Sequence, residues 1–296
     1  MMVRSLSEYD FADWRRLRPL SHAFKSTRYR LVKLRYLRRA AAGGDPRALA
    51  RSMTGKRVLT TIAFDDAEVI GWQVRLVRHY VPSAMHIVAD NSREEAAAAQ
   101  IAEICRALDI SYLRLPPNPW EEPSRSHGIA LNWVWHNLIR AGQPEAFGFL
   151  DHDLFPTAPD DPFAALSTQD CFGLVRRVGP RWFLWAGYCM FRFDRVRDTL
   201  LDFGQDWFYG LDTGGANWRG LYQRLCGANL KEAHTTFEPY KPGVNMADGA
   251  LQWVGSWLHE VGQMVRPELR GDRRQVVRGI LQPHLAAAQG ATCSVA

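Results

Sequence analysis

The sequence of 296 residues lacks several features that would assign it to a special class of protein. No stretch approaches the roughly 20 consecutive apolar residues that a membrane-spanning helix requires; the longest clean apolar run, residues 184–191, is far shorter. The first ten residues contain no apolar core of a secretory signal. The five cysteines are an odd number, widely spaced and without a Cys-x-x-Cys pair, so neither a disulfide framework nor a zinc ribbon is expected. These absences favour a globular protein of the cytoplasm.

Positive charge is concentrated at the N-terminus. Residues 1–57 hold 15 Lys and Arg against 4 Asp and Glu, a net charge of +11, so the rest of the chain carries −5 of the total of +6. Within residues 8–40, apolar side chains recur at threes and fours between the basic ones, and Pro19 divides the segment. This pattern predicts a basic amphipathic helical extension that either packs on the main domain with solvated arginines or contacts an anionic membrane surface. Because the main domain is acidic, nucleic-acid binding is not expected.

From residue 56 onwards, β-rich runs alternate with helical patterns. Strands are predicted at 57–64, 85–89 and 111–115, and a fourth runs from Phe147 into Asp151. Such alternation implies βαβ units with right-handed crossovers, and therefore an α/β fold whose mainly parallel sheet carries helices on both faces. In sheets of this kind, ligands bind beyond the carboxyl ends of the strands.

Carboxylates stand at the ends of three of these strands, at Asp65, Asp90 and Asp151. Asp153 follows two residues after Asp151, and residues two apart in an extended chain point to the same side, so both acids can bind one cation. Taken singly, each acid also fits a helix N-cap or a solvated strand end. Their recurrence at successive strand ends is what predicts a metal and phosphate site.

Local signals predict further elements. Ser92 and Glu95 form a capping-box pair for the helix that follows the second strand. After residue 162 the pattern is less regular and rich in aromatic residues. There the sequence predicts strands at 171–178, 182–193, 231–238 and 253–259, and helices at 194–203 and 217–226, the second after a glycine-rich turn at 212–216.

The order of these features resembles the family 2 type of glycosyltransferases, inverting enzymes of the GT-A fold that use nucleotide sugars. The resemblance extends from Val58 to His259 and implies a GT-A-like domain at 56–265, between the basic extension at 1–55 and a C-terminal helix with a frayed tail at 266–296. The matching motifs are the strand ends at Asp65 and Asp90-Asn-Ser92, the Arg125-Ser-His-Gly128 turn, Asp151-His-Asp153, Ala186-Gly-Tyr-Cys-Met-Phe191 before Asp194, Asp212 and His259. Two departures are the absence of the usual Pro-x-Tyr-Asn ending of the first strand and the replacement of the customary acidic pair by Asp212-Thr-Gly-Gly.

The resemblance implies a metal centre of defined composition. Asp153 would be the direct ligand of a divalent cation, Asp151 would contact the ribose or reach the metal through water, and His259 would be the third ligand. Oxygen ligands with one imidazole suit Mn²⁺ or Mg²⁺. A cation bridging the phosphates of a nucleoside diphosphate stabilises the charge that develops as the glycosidic bond breaks.

The resemblance also implies roles for four other residues. Asp65 and Asp90 would accept hydrogen bonds from the nucleobase and ribose of the donor, and Arg125 would reach the pyrophosphate. Asp212 is the candidate general base for the acceptor hydroxyl, with inversion at the anomeric carbon; a helix cap in a glycine-rich turn is the alternative interpretation of Asp212.

The predicted function is therefore a metal-dependent transferase that moves a sugar from a nucleotide-sugar donor to a hydroxyl acceptor, a surface glycan or glycolipid. Two alternatives remain open. The first is a phosphatase of the haloacid dehalogenase type, which also carries Asp-x-Asp after an apolar strand; here Leu154-Phe155 replaces the Thr or Val that usually follows, and the motif lies after three βα units. The second is a non-catalytic binding protein with a transferase-like fold.

Overall fold

The computed structural model describes residues 5–225, 227–246, 249–260 and 270–293. The main sheet consists of the strands β1 (Arg57–Ala63), β2 (Met85–Asp90), β3 (Ser111–Arg114), β4 (Ala146–Asp151), β6 (Cys171–Val178) and β7 (Arg181–Arg192). A small second sheet consists of β5 (Leu154–Pro156), β8 (Thr235–Pro239), β9 (Ala250–Val254) and β10 (Trp257–His259). The strand order is β3-β2-β1-β4-β7-β6 in the main sheet and β5-β10-β9-β8 in the second.

Strand direction in the main sheet is mixed but mainly parallel. The pairs β1–β2, β2–β3 and β1–β4 are parallel, whereas β7 runs antiparallel to β4 and to β6. Strand β1 lies in the middle, and all its residues except the first are buried, as its nearly continuous apolar sequence predicts. The mixed, mainly parallel sheet expected from the sequence is confirmed.

Helices cover both faces of this sheet. Their bounds are α1 (Phe11–Arg15), α2 (Arg18–Leu37), α3 (Pro46–Ser52), α4 (Ala67–Tyr80), α5 (Glu95–Ala107), α6 (Pro123–Val134), α7 (Arg140–Gly142), α8 (Phe193–Val196) and α9 (Arg270–Cys293), with a π-helical turn at Trp135–Ile139 between α6 and α7. Consecutive residues of β1 pack in opposite directions: Ile62 belongs to the core that contains the α6 side chains, and Ala63 to the core formed with α4 and α5. The sheet is therefore the middle layer of three, as expected.

The basic N-terminal segment packs on the main domain through α2. Tyr36 is buried and its hydroxyl donates to the carbonyl of Pro116 at 3.1 Å. Lys33 Nζ lies 2.5 Å from the largely buried carboxylate of Asp202. Pro19 stands at the start of α2, where the missing N–H of proline does no harm. The predicted boundary between the main domain and the C-terminal helix, at 265/266, lies outside the described residues.

Two local predictions are wrong, each for a physical reason. The Ser92–Glu95 capping box does not form: α5 begins at Glu95 after an N-cap at Glu94, and the Ser92 hydroxyl accepts the Asp65 N–H and donates to Asp90 instead. The predicted strand 253–259 is a hairpin of β9 and β10, because Gly255 adopts a φ of 58° in a two-residue turn.

The helices predicted at 194–203 and 217–226 are much shorter. Helix α8 ends at Val196, since the Asp202 and Phe203 N–H groups donate to the side-chain oxygens of Asn217 and Asn132 rather than to helical carbonyls. The second region contains only 3₁₀ turns, at Gly215–Asn217, Tyr222–Arg224 and Gly227–Asn229; Cys226, the predicted helix end, lies outside the described residues.

Candidate functional site

The second sheet brings His259 beside the Asp-x-Asp motif. Strand β4 ends at Asp151, the chain turns, and β5 starts at Leu154. Strand β10 pairs antiparallel with β5 in a register that places His259 opposite Leu154. The backbone N–H of Glu260 then donates to the carbonyl of Asp153 at 3.1 Å. Strand pairing thus joins two segments that are more than 100 residues apart in the sequence.

Three of the predicted site residues form one group of possible metal ligands. One ligand atom from each of Asp151, Asp153 and His259 lies within 4.8 Å of the others. His259 Nε2 is 3.3 Å from Asp153 Oδ1. Asp153 and His259 are buried, and Asp151 is half-buried at the end of its strand. Two carboxylates and an imidazole in this arrangement match the donor set that Mn²⁺ accepts, and Mg²⁺ prefers the two oxygen ligands.

The orientation of His259 is set by Gln252 on the neighbouring strand. Gln252 Nε2 donates to Thr235 Oγ1 at 2.9 Å, so the amide oxygen of Gln252 faces His259 Nδ1, also at 2.9 Å. Because an amide oxygen only accepts, Nδ1 carries a proton and Nε2 is directed at Asp153. The Trp185 ring packs on the imidazole with ring centroids 4.9 Å apart.

The charges of Asp153 and His259 stabilise each other. Burial acts to lower the pKa of His259, but the Asp153 carboxylate outweighs it and holds that pKa above its ordinary value. Burial likewise acts to raise the pKa of Asp153, and His259 outweighs it, so that pKa is lowered. The site therefore favours one positive charge between the two side chains, which either a proton on Nε2 or a metal cation supplies.

A buried polar network supports the loop that carries the two aspartates. Gln73 of α4 donates to the carbonyls of Asp151 at 2.6 Å and Leu154 at 2.8 Å. Its amide oxygen accepts from Thr61 of β1, whose hydroxyl also contacts His86 Nε2. Gln73 was not predicted as a site residue, although a glutamine within the apolar face of α4 was a signal for it; that face is formed by Val69, Ile70, Val74 and Val77.

Helix α9 reaches the back of the same site. Arg274 Nε lies 2.9 Å from the fully buried carboxylate of Glu260, and its Nη2 lies 3.0 Å from Asp66. Asp66 also caps α4 by accepting the Val69 N–H. Arg274 thus joins the C-terminal helix to the residue after His259 and to the start of α4.

Asp65 and Asp90 lie outside the ligand group formed by the described residues, and both are engaged by the protein. Asp65 has a φ of 45°, and its Oδ1 accepts the N–H groups of Arg93 and Glu94 just before α5. Asp90 is fully buried. Its carboxylate accepts from the Ser92 N–H and hydroxyl, the Tyr112 hydroxyl and Arg114 Nη1.

Asp212 lies near the ligand group, on the side of α6. Burial lowers the pKa of His127, while the carboxylates of Asp151, Asp212 and Asp153 act to raise it, so the ring lies within electrostatic range of all three acids. Asp212 itself is exposed, and its Oδ1 accepts from Gln205 Nε2 at 3.3 Å. His127 belongs to the Arg125–Gly128 motif, but no role was predicted for it.

Arg176 adds a positive charge within electrostatic range of Asp212 and His259. Burial lowers the pKa of its guanidinium, while Asp212 acts to raise it, and the charge of Arg176 in turn acts to lower the pKa of His259. The guanidinium also lies 5.9 Å from the centre of the Trp185 ring. A guanidinium close to the three possible metal ligands suits a ligand that carries several negative charges.

Arg125 faces α2. It is exposed in the first turn of α6, its Nε lies 3.7 Å from Glu122, and its guanidinium lies 5.3 Å from the centre of the Trp120 ring. The cleft that it lines also includes residues of α2.

Glycosyltransferases are among the solved structures that this chain resembles. The mannosyltransferase PcManGT from Pyrobaculum calidifontis, in complex with GDP-Man and Mn²⁺, matches with a TM-score of 0.35 and 15% identity over 58% of this chain and 55% of that one. TarS of S. aureus matches with a TM-score of 0.36 and 14% identity over 52% and 31%. The galactosyltransferase LgtC, in complex with donor and acceptor sugar analogs, matches with a TM-score of 0.35 and 16% identity over 47% and 59%. These three structures are similar to this chain over about half of its length.

The matches cover less than two thirds of each of these three structures. No protein-family model matches the sequence, and no curated protein matches it either. In the part of the chain that the structure describes, no helix is both long enough and apolar enough to cross a membrane.

Proposed function

We propose that the protein is a metal-dependent glycosyltransferase that moves a sugar from a nucleotide-sugar donor to a hydroxyl acceptor with inversion. The observation that carries this proposal is the group of Asp151, Asp153 and His259 beyond the carboxyl end of β4, where parallel α/β sheets bind their ligands. Arg176 supports the proposal, since its guanidinium lies within electrostatic range of His259 and suits the diphosphate of a nucleotide sugar.

Each residue of the site has a definite task in this proposal. When bound, Mn²⁺ or Mg²⁺ neutralises charge on the leaving diphosphate. Asp153 and His259 hold the cation, and Asp151 holds the cation or the ribose. Arg176 binds phosphate oxygens. Asp212, exposed on the α6 side, accepts the proton of the acceptor hydroxyl as that oxygen attacks the anomeric carbon.

Asp65 and Asp90 act indirectly in this proposal. Their carboxylates order the loop between β2 and α5 through the Arg93, Glu94 and Ser92 N–H groups. That loop follows the carboxyl end of β2, where the donor nucleoside would lie. For either side chain to contact the base or ribose, some of these hydrogen bonds must be replaced by hydrogen bonds to the donor.

Thermal unfolding with UDP-, GDP-, CMP- and dTDP-sugars, with and without Mn²⁺, tests the donor half of the proposal. One class of donor should raise the melting temperature in the presence of Mn²⁺, because a ligand that binds only the folded protein stabilises it. Asp153→Asn should remove this shift. The control Glu103→Gln removes an exposed carboxylate of α5 and should leave it unchanged. A shift that needs neither Mn²⁺ nor Asp153 would contradict the proposal.

Product analysis separates the proposal from its alternatives. A transferase releases nucleoside diphosphate, or CMP from a CMP-sugar, whereas a haloacid dehalogenase-type phosphatase releases inorganic phosphate from monoesters, and a binding protein releases neither. Asp212→Asn should retain the donor-dependent thermal shift and lower nucleoside diphosphate release roughly a hundredfold or more, the usual contribution of a general base. If Asp212→Asn lost donor binding to the same extent as nucleoside diphosphate release, Asp212 would not be the general base.

We also propose that α2 lies on the anionic inner face of a membrane, which places the protein in the cytoplasm at that surface. Leu20, Phe24 and Leu31 share one face of α2 and are 64%, 71% and 59% exposed. Exposed basic residues flank this stripe: Arg30, Arg35 and Arg38. An apolar stripe with an arginine rim matches the way interfacial helices bind anionic lipids. The acceptor would then be a glycolipid or a growing surface glycan.

A further inference from the structure

A cleft of about 210 Å³ separates α2 from the main domain. Helix α2 forms one wall, and the segments around Trp120 and Trp207 form the other. The lining residues are Lys25, Arg28, Tyr29, Trp120, Arg125, Gln205 and Trp207. None of the predicted metal ligands lines this cleft.

The cleft offers positive charge and hydrogen-bond donors. Lys25, Arg28 and Arg125 supply three cations, and no carboxylate is among the lining residues. Because three cations line the cleft without a neutralising carboxylate, the cleft favours a ligand rich in acceptor oxygens. The chemistry that matches is a phosphate or carboxylate.

Two tryptophans provide flat apolar walls. The Arg125 and Arg28 guanidinium groups lie 5.3 and 6.0 Å from the centre of the Trp120 ring. Lys25 Nζ lies 5.9 Å from the centre of the Trp207 ring. Rings placed beside cations suit a ligand with an apolar face next to its charge, such as the C–H face of a sugar ring. The volume limits the ligand to about one such unit.

The cleft is connected to the candidate base. Gln205 lines the cleft, and its amide nitrogen donates to Asp212 Oδ1 at 3.3 Å. Asp212 also lies within electrostatic range of His127 and Arg176, and His127 lies within range of Asp151 and Asp153. A molecule bound against Gln205 in the cleft therefore lies one side chain away from Asp212.

We infer that this cleft is the acceptor subsite and that the acceptor carries an anionic group, a phosphate or carboxylate, beside its sugar ring. The inference rests on the proposed function and assigns Arg125 to the acceptor rather than to the donor pyrophosphate. The acceptor oxygen forms a bond to the anomeric carbon and its proton passes to Asp212. The bond from that carbon to the diphosphate oxygen breaks, and its electron pair leaves with the nucleoside diphosphate.

The donor diphosphate is a poorer occupant of the cleft. A metal-bound diphosphate needs carboxylate ligands nearby, and these belong to the group of Asp151, Asp153 and His259. Basic helix α2 forms a wall of the cleft, so the predicted N-terminal extension completes the acceptor site of the main domain.

Binding of small probes to the metal-free protein tests the inference, with tryptophan fluorescence as the readout because Trp120 and Trp207 line the cleft. The probes are glucose 6-phosphate, glucuronate, neutral methyl glucoside and inorganic phosphate. An anionic sugar should bind at least roughly tenfold more tightly than the neutral one. Arg28→Gln should weaken that binding by roughly tenfold, as expected for one charge-assisted hydrogen bond. Arg30→Gln, which removes an exposed arginine of the same helix outside the cleft, should leave it unchanged.

The outcomes separate this inference from the proposed function. Equal binding of neutral and anionic sugars, equal effects of Arg28→Gln and Arg30→Gln, or inorganic phosphate binding as tightly as the sugar phosphate would each overturn the acceptor assignment. Glucose 6-phosphate and glucuronate tell phosphate from carboxylate preference. Mn²⁺-dependent donor binding is measured on the same protein: its absence would overturn the proposed function and the acceptor role together, without altering the probe titrations.

Discussion

Gln252 is the residue that determines which nitrogen of His259 faces Asp153. Replacement by leucine removes the acceptor from Nδ1 and leaves that donor and the Thr235 hydroxyl without their partner. Affinity for Mn²⁺ should fall roughly ten- to a hundredfold, as when other outer ligands of a metal-binding histidine are removed. Calorimetric titration with Mn²⁺ measures this, and Gln252→Glu, which retains an acceptor oxygen, is the matched variant. Unchanged affinity in Gln252→Leu would show that the imidazole is oriented by other contacts.

His86 makes a separate prediction about stability. Burial lowers its pKa from 6.5 to about 4, so the unfolded chain binds a proton more readily than the folded one between these values. The free energy of unfolding should therefore fall as the pH drops from 6.5 to 4, by about 3 kcal/mol from this residue. Urea unfolding of the native protein and of His86→Gln measures it as a difference.

The difference between these two proteins is needed because other groups titrate in the same range. Burial raises the pKa of Asp206 to about 6, and this acid changes the stability in the opposite direction, since stability is lost as the pH rises from 3.8 to 6. Its contribution cancels between native protein and variant. Parallel pH profiles for the two proteins would contradict the assignment of this acid sensitivity to His86.

At the scale of elements, the sequence is informative where periodicity and burial agree. Strands β1, β2 and β4 were predicted within one or two residues, because a central parallel strand is apolar on both faces and its sequence is a nearly continuous apolar run. The hairpin at Gly255-Ser256 was predictable too, since a glycine before serine between two apolar runs is a turn signal. The end of α8 was not: it depends on the side chains of Asn132 and Asn217, which are distant in the sequence.

The same distinction applies to the candidate site. Asp151, Asp153 and His259 were found from motifs, and the structure brings them together. Gln252, Arg176 and Arg274 were not found, because each approaches the site through strand pairing or helix packing that no local pattern encodes.

Helix α2 carries the prediction about membranes. Leu31→Ser removes one exposed apolar side chain from the stripe and should weaken binding to vesicles containing phosphatidylserine by roughly tenfold, since burying a leucine contributes about 1.5–3 kcal/mol. Co-sedimentation with vesicles measures the bound fraction. Leu200→Ser, at a position 87% exposed in the main domain, is the control and should bind as the native protein does.

Two further results would decide against this role of α2. Neutral vesicles should bind much less of the native protein, because the arginine rim contributes about 1 kcal/mol for each basic residue near an anionic surface. Equal binding to neutral and anionic vesicles, or equal loss in the two leucine variants, would remove α2 as the contact.

For the molecule as a whole, Arg274 makes the C-terminal helix part of the site. Arg274→Met removes the guanidinium beside the fully buried Glu260 and beside Asp66, so the free energy of unfolding should fall by about 3 kcal/mol. Arg278→Met, one turn further along α9, breaks an exposed pair with Glu68 and a contact with the Trp72 ring, and should cost only about 1 kcal/mol. Urea unfolding compares the two variants.

The same pair of variants tests whether α9 supports the candidate metal site. The Glu260 N–H donates to the carbonyl of Asp153, so Arg274→Met should weaken Mn²⁺ binding and Arg278→Met should not. Equal Mn²⁺ affinities of the two variants would mean that α9 packs against the site without supporting it.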